Sequence, residues 1–177
     1  ILMESPAVLL FLAIYFYGSH RMSAVPLLLC GLWQFHYMYR VFIYPLRIRT
    51  PSKPMPFLIM LFAFVFQCAN GYVNARWISE LGPTHTYTLM SPHVCLGLAL
   101  FAAGWTLNQH SDHILLNLRK PGETGYKIPF GGGFRWVTSP NYLGELITWI
   151  GWALISWSWA GWTFAFFTAA NLSVVWY

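Results

Sequence analysis

The chain has 177 residues, of which 57% are hydrophobic, 19% aromatic and only 8% charged, and its formal net charge is +5. Soluble domains carry about 25% charged residues, so this chain cannot cover its apolar surface with polar groups, and lipid is the solvent that composition predicts. The basic excess is too thinly spread for a nucleic-acid surface, and Cys30, Cys68 and Cys95 stand singly in apolar stretches, which excludes a cysteine metal cluster.

Six apolar segments follow one another along the chain, at residues 5–18, 24–44, 56–78, 92–108, 142–159 and 161–177. The first is short for a span, and the last two are separated only by a corner at Ala160–Gly161. No segment alternates with a period of two, which argues against a β-barrel. Backbone groups in lipid must be satisfied within the segment, so the predicted class is all-α, a polytopic transmembrane helical bundle. The first segment is preceded by Glu4 instead of a basic stretch, so it reads as a span and not a signal peptide. Ile1 in place of Met, and an apolar run still open at Tyr177, predict further chain on both sides.

The ten Lys and Arg residues orient the bundle. Arg40, Arg47, Arg49 and Lys53 lie at or between the second and third segments, and Arg119, Lys120, Lys127 and Arg135 between the fourth and fifth. Those connections share one side, and only Arg21 and Arg76 fall on the other. The positive-inside rule then places the two basic connections in the cytoplasm. Residues 109–141 are too long a stretch for an idle connector. One transmembrane domain over 1–177, with 109–141 as a cytoplasmic loop region that binds cofactor, is the expected organisation.

Ionisable groups are costly near lipid and mark function. Glu4 begins the first segment, and Tyr37 lies seven residues before the end of the second, roughly 10 Å deep at 1.5 Å per residue. Asn108 and Asp112 close the fourth segment four residues apart, on one helical face, and Asn141 and Glu145 open the fifth in the same way. With Arg40 and Arg119 nearby, these residues predict a polar pocket open to the cytoplasm and narrowing into the membrane. Each has an ordinary structural use as well. Glu4 and Glu145 suit helix N-termini, Asn141 an N-cap, Tyr37 a buried hydroxyl, and Asp112 with Arg119 a solvated pair. Their convergence on one side favours function. His110 and His113 lack a third ligand, so no metal site is expected. Gly131–Gly133 lacks the strand and the Lys-Ser/Thr ending of a phosphate loop and reads as a turn.

The run His110-Ser111-Asp112-His113, Leu118-Arg119-Lys120-Pro121-Gly122-Glu123, Tyr126-Lys127-Ile128-Pro129, Gly131-Gly132 and Asn141-Tyr142-Leu143-Gly144-Glu145 resembles the core of the steroid 5α-reductases. Glu4-Ser5-Pro6, and His36-Tyr37 followed by Arg40 and Tyr44-Pro45, agree with it. The resemblance implies a seven-helix membrane bundle of which six helices are visible here. It implies NADPH at the cytosolic side, a lipophilic steroid arriving from the lipid, and residence in a bacterial inner membrane or the endoplasmic reticulum. By the same resemblance, Glu4 and Tyr37 meet the substrate ketone. Asn108, Asp112, Arg119, Tyr126, Asn141 and Glu145, with Arg40 and Tyr44, surround the NADPH. Met3 stands where some relatives carry Gln, which bears on substrate preference.

The implied reaction is reduction of the 4,5 double bond of a 3-oxo-Δ4 steroid, with Tyr37 and Glu4 as donors to the carbonyl oxygen. Three other readings stay open from sequence: a membrane enoyl-thioester reductase, an isoprenylcysteine-type methyltransferase, and a sterol-binding protein without redox chemistry. The last would distribute polar residues through the spans, whereas here they are expected to gather at one end.

Overall fold

Proline sets the start of most of the long helices. In the computed structural model, which describes residues 2–48, 56–119, 123, 125 and 127–173, Pro6, Pro92 and Pro140 occupy the first turns of their helices, and Pro56 immediately precedes another. A residue without an N–H fits there because the first N–H groups of a helix have no partner within it. The helices are α1 Ser5–Tyr17, α2 Ala24–Met38, α3 Tyr44–Arg47, α4 Phe57–Arg76, α5 Pro92–Leu116, α6 Pro140–Ser156 and α7 Trp159–Ser173. The described residues contain no strand, so the all-α expectation holds.

Two of these helices carry a wide π-turn. Tyr39–Ile43 joins α2 to α3 without a break, closed by the Tyr44 N–H on the Tyr39 carbonyl. Trp77–Leu81 extends α4 in the same way. The combined helix Phe57–Leu81 has 25 residues and is the one helix among those described that is long and apolar enough to cross a membrane by length and composition. α1 is apolar but shorter.

Two expected boundaries differ. The fourth segment does not stop at Asn108 but runs two turns further to Leu116, because its polar residues find partners: the Ser111 hydroxyl donates to the Leu107 carbonyl at 2.7 Å, and Asp112 accepts from Asn141. The corner before α7 lies at Trp157, not at Ala160–Gly161. Trp157 adopts φ 45° and caps α6, while Gly161 lies within α7, where a Cβ would come within 2.6 Å of Ser156 Oγ.

The core centres on Trp33, fully buried on α2. Its ring stacks on Phe11 at 4.5 Å, meets Trp149 and Trp152 edge-on at 5.2 Å each, and reaches Phe164 at 5.4 Å. Its indole N–H donates to the Ala7 carbonyl at 2.8 Å, and that of Trp152 to the Leu29 carbonyl at 3.0 Å. The hub thus joins α1, α2, α6 and α7 by aromatic packing and hydrogen bonds. Those interactions hold helices together even where surrounding lipid removes the hydrophobic drive to associate.

α5 and α6 meet by a different device. Gly97 and Gly104 on α5 face Gly151 and Gly144 on the antiparallel α6. A Cβ on Gly104 would come within 2.5 Å of the Thr148 nitrogen, and one on Gly151 within 2.6 Å of both the Gly97 carbonyl and the Phe101 nitrogen. Small residues let the two backbones touch. That register carries Asn108 to Asn141 at the end of the seam.

Candidate active site

Arg40 is the centre of the charged cluster. It leaves the π-turn after α2 with Nε 3.9 Å from Glu4 Oε2 and Nη1 3.8 Å from Glu145 Oε2. Its guanidinium also lies 5.6 Å from the centre of the Tyr44 ring, a cation–π contact between residues four apart. Glu4 occupies the cap position of α1, yet its side chain makes no capping bond there. The carboxylate faces Arg40 instead, so the simple helix-dipole use does not account for it. Glu4 stands ahead of the first span, and burial pushes its carboxyl above the ordinary range against the opposing pull of Arg40.

On the far side of Arg40 the end of the α5–α6 seam builds a second group. Asn108 Nδ2 donates to the Asn141 carbonyl at 2.9 Å, and its Oδ1 accepts from Gln109 at 3.0 Å. One turn later Asp112 is 2% exposed and accepts from the Asn141 side chain. It lies beyond the apolar part of α5, and burial raises its carboxyl to about 6, with Arg40 opposing. Asp112 is therefore not one half of a solvated pair with Arg119. Nor is Asn141 an N-cap: Ser139 holds that position and Asn141 sits inside α6. Arg119 is exposed in the bend after α5, and among the described residues it forms no ion pair with the cluster. Tyr126 lies outside the described residues, as do Arg49, Lys53 and Lys120.

Tyr37 projects to the other side, into a cavity of about 540 Å³. That is the size of a small-molecule site. Glu4, Tyr37, Arg40 and Glu145 line its polar end, with Met3 beside them. Its remaining wall is mostly apolar: Ile59, Phe62 and Phe66 from α4, Trp149 from α6, and Phe164 and Phe167 from α7. The Tyr37 hydroxyl is buried and accepts a hydrogen bond from Gln67 Nε2 at 3.2 Å. Arg40 and Glu145 thus lie at the polar end of an apolar cavity headed by Tyr37 and Glu4, and Arg40 also faces the hydrogen-bonded cluster of Asn108, Asp112 and Asn141.

Gln67 was legible only as one uncharged residue within an apolar run. The structure adds it to the site, followed by Asn70 and Asn74 on the same helical face. Polar residues therefore do not gather only at one end, because these amides run from the middle of α4 toward its C-terminal end. Three amides at positions i, i+3 and i+7 of a membrane-length apolar segment are the signal that could have found them.

The buried groups beyond Arg40 are mainly acceptors, Asp112 and Glu145, together with amides, which fit the hydroxyls of a ribose and the carboxamide of a nicotinamide. They do not fit phosphates, which would need cations outside the cluster, such as the exposed Arg119.

A family sequence model described as 3-oxo-5-alpha-steroid 4-dehydrogenase matches residues 53–176. The chain is 41% identical over 172 residues to a steroid 5-alpha-reductase of Solanum lycopersicum, covering 96% of this chain and 66% of that protein. It is 43% identical over 166 residues to 3-oxo-5-alpha-steroid 4-dehydrogenase 1 of Homo sapiens, covering 92% and 64%. The corresponding protein of Bos taurus is 46% identical over 156 residues, covering 85% and 60%. The chain thus spans somewhat under two thirds of the length of these curated relatives.

Proposed function

From the premise that this chain belongs to the 3-oxo-5-alpha-steroid 4-dehydrogenase family, we propose that it reduces the 4,5 double bond of 3-oxo-Δ4 steroids with NADPH. The observation that carries this reading is the position of Tyr37 and Glu4 at the head of an apolar cavity, with Arg40 and Glu145 between them and the polar cluster of Asn108, Asp112 and Asn141. A tetracyclic ketone matches that cavity: its hydrocarbon body meets Phe62, Phe66, Phe164 and Phe167, and its one polar atom meets the hydroxyl of Tyr37.

Addition of hydride to the β-carbon of an enone puts negative charge on the carbonyl oxygen. Tyr37 donates to that oxygen from a dry, fixed position, so the bond strengthens as charge develops and little reorganisation is needed. Glu4, when protonated, is a second donor; when ionised it is held by Arg40 and polarises the site. Asn108, Asp112, Asn141 and Glu145 would hold the nicotinamide and its ribose, with Tyr44 beneath Arg40 and Arg119 nearer the phosphates; Tyr126 is proposed as a further cofactor residue on the resemblance alone. NADPH, when bound, would supply the hydride, and a proton drawn ultimately from solvent would complete the reduction at the α-carbon. The chain's own contribution is orientation, exclusion of water by the aromatic wall, and donors at the ketone.

A polytopic membrane setting belongs to the same proposal. Phe57, Leu58, Phe62 and Val65 on α4 and Phe166 on α7 are largely exposed, a surface that water does not favour and lipid does. The basic residues at the cluster end, Arg40, Arg47, Arg119, Lys127 and Arg135, support a cytoplasmic position for that end by the positive-inside rule.

The test uses full-length protein in detergent with NADPH and a 3-oxo-Δ4 steroid, following nicotinamide absorbance. Steroid-dependent oxidation that disappears in Tyr37→Phe is the expected result. Oxidation with a trans-2-enoyl thioester but not with steroid would reassign the substrate. Absence of NADPH binding would overturn the reading.

A further inference from the structure

Resting on that reading, we infer that Gln67 is a positioning residue: it fixes the Tyr37 hydroxyl so that its proton points into the cavity and not into the protein. A phenol oxygen has two in-plane directions, one for its hydrogen and one for an incoming donor. Gln67 Nε2 reaches the Tyr37 oxygen at 3.2 Å. An amide N–H cannot accept, so it takes the acceptor direction and leaves the O–H the other one. The same donor also draws electron density from the phenol, which sharpens its own O–H as a donor to a ketone.

The orientation of Gln67 is itself enforced. A glutamine side chain can present either its oxygen or its nitrogen, and the wrong choice would make it accept the Tyr37 proton. Asn70 Nδ2 donates to Gln67 Oε1 at 3.5 Å, and Asn74 Nδ2 donates to Asn70 Oδ1 at 2.9 Å and to the Asn70 carbonyl at 3.0 Å. Every link runs the same way, from Asn74 through Asn70 and Gln67 to Tyr37. The chain begins on Asn74, whose Oδ1 is buried without a hydrogen-bond partner among the described residues.

Gln67 also lines the cavity beside Tyr37, and packing of α4 does not require an amide there. Gln67 and Asn74 lie on its buried face with Gly71, whose Cβ position is 3.7 Å from the Pro6 carbonyl and 3.9 Å from Phe11, so the face packs against α1. A leucine at position 67 would cost less to bury than an amide. The amide is useful if the direction of one proton matters. The step itself is unchanged: Tyr37 donates a hydrogen bond to the ketone oxygen, and Gln67 exchanges no proton and touches no reacting atom.

The experiment compares binding of a 3-oxo-Δ4 steroid with binding of its 3-deoxo analogue to the full-length protein, alongside steady-state rates. Wild type should prefer the ketone by about tenfold, the worth of one well-aimed hydrogen bond in a dry site. Gln67→Leu should reduce that preference to the level of Tyr37→Phe and lower kcat about tenfold, with the steroid KM changed by less than about twofold. In the Tyr37→Phe background, Gln67→Leu should remove no further ketone preference, a non-additivity that a merely structural role would not produce. If Gln67→Leu does not fold, Asn70→Leu carries the test, with a smaller loss in the same direction. A folded Gln67→Leu or Asn70→Leu protein that keeps the wild-type ketone preference overturns the role of Gln67 and leaves the reductase reading standing. A wild-type protein that binds both steroids equally, or neither, overturns the reductase reading first and this inference with it.

Discussion

The two sides of the site are built on opposite principles. Along the α5–α6 seam, paired glycines bring backbone against backbone, and no side chain separates Gly104 from Gly144 or Gly97 from Gly151. Across the cavity, α4 and α7 face each other through Phe66 and Phe167, whose rings meet edge-on at 5.8 Å, and space remains beside them. The first arrangement has almost no freedom to adjust. The second is a wall of side chains that can change rotamer. A group held at the end of the seam, such as Asn108, Asp112 or Asn141, is fixed in place to within the tolerance of backbone contact. A ligand in the cavity meets a surface that can adapt. On the proposed function, that division suits a cofactor held in one geometry and an apolar substrate that can vary.

The sharpest way to break the comparison is to put a side chain into the seam. Gly104→Leu should force the helices apart and cost about 3 kcal/mol or more, read as loss of the monodisperse peak on size exclusion and of NADPH binding. The same added bulk at Ala63 on the cavity wall should leave a folded protein. Next in size, Tyr37→Phe should lower turnover about 100-fold or more while the NADPH dissociation constant, measured by fluorescence titration, stays within about threefold. A smaller effect is expected from Phe167→Ala on the adaptable wall. It should raise the steroid KM up to about tenfold with kcat little changed, and larger steroids should lose less than smaller ones.

The smallest effect is a pH dependence at the seam's end. Asp112 binds its proton more tightly in the folded protein, up to about 6, than its ordinary value of 3.8. Between those values the folded state holds the extra proton, so the contribution of Asp112 to stability falls as pH rises through that window and is level above it. Thermal unfolding in detergent from pH 4 to pH 8 should show this decline. Asp112→Asn should flatten it, and an unchanged profile would remove Asp112 as its source.

The sequence shows where apolar segments lie because their composition alone decides it, and prolines at 6, 56, 92 and 140 sharpen the starts. It shows less about ends. α5 overran its predicted limit since Asn108, Ser111 and Asp112 look like loop residues until their partners on the helix and on α6 are known. The assembly of Glu4, Arg40 and Glu145 was foreseeable from the cost of isolated charge near lipid. The spacings 108/112 and 141/145 put each pair on one face. Arg119 shows the limit of that reasoning, as proximity in sequence to Asp112 did not bring it into the cluster. The glycine seam and the amide chain of α4 were hidden for a different reason. Glycine and amides carry no charge, so neither raises a signal against an apolar background, and each acquires meaning only from what stands opposite.

The wide turn at Tyr39–Ile43 stores information in chain length and not in side-chain identity. It winds one residue more than an α-helical turn holds, so loss of any single residue there would let the helix anneal to regular α geometry with its hydrogen bonds intact. The helix beyond the turn would then keep its direction relative to Trp33 and Tyr37, since the wide turn absorbs the extra residue, and the change would fall on the residues of the turn itself, Arg40 among them. A one-residue deletion there would thus act on the contacts of Arg40 with Glu4 and Glu145 before it acted on the helices on either side. In this segment residue count is constrained more tightly than residue type.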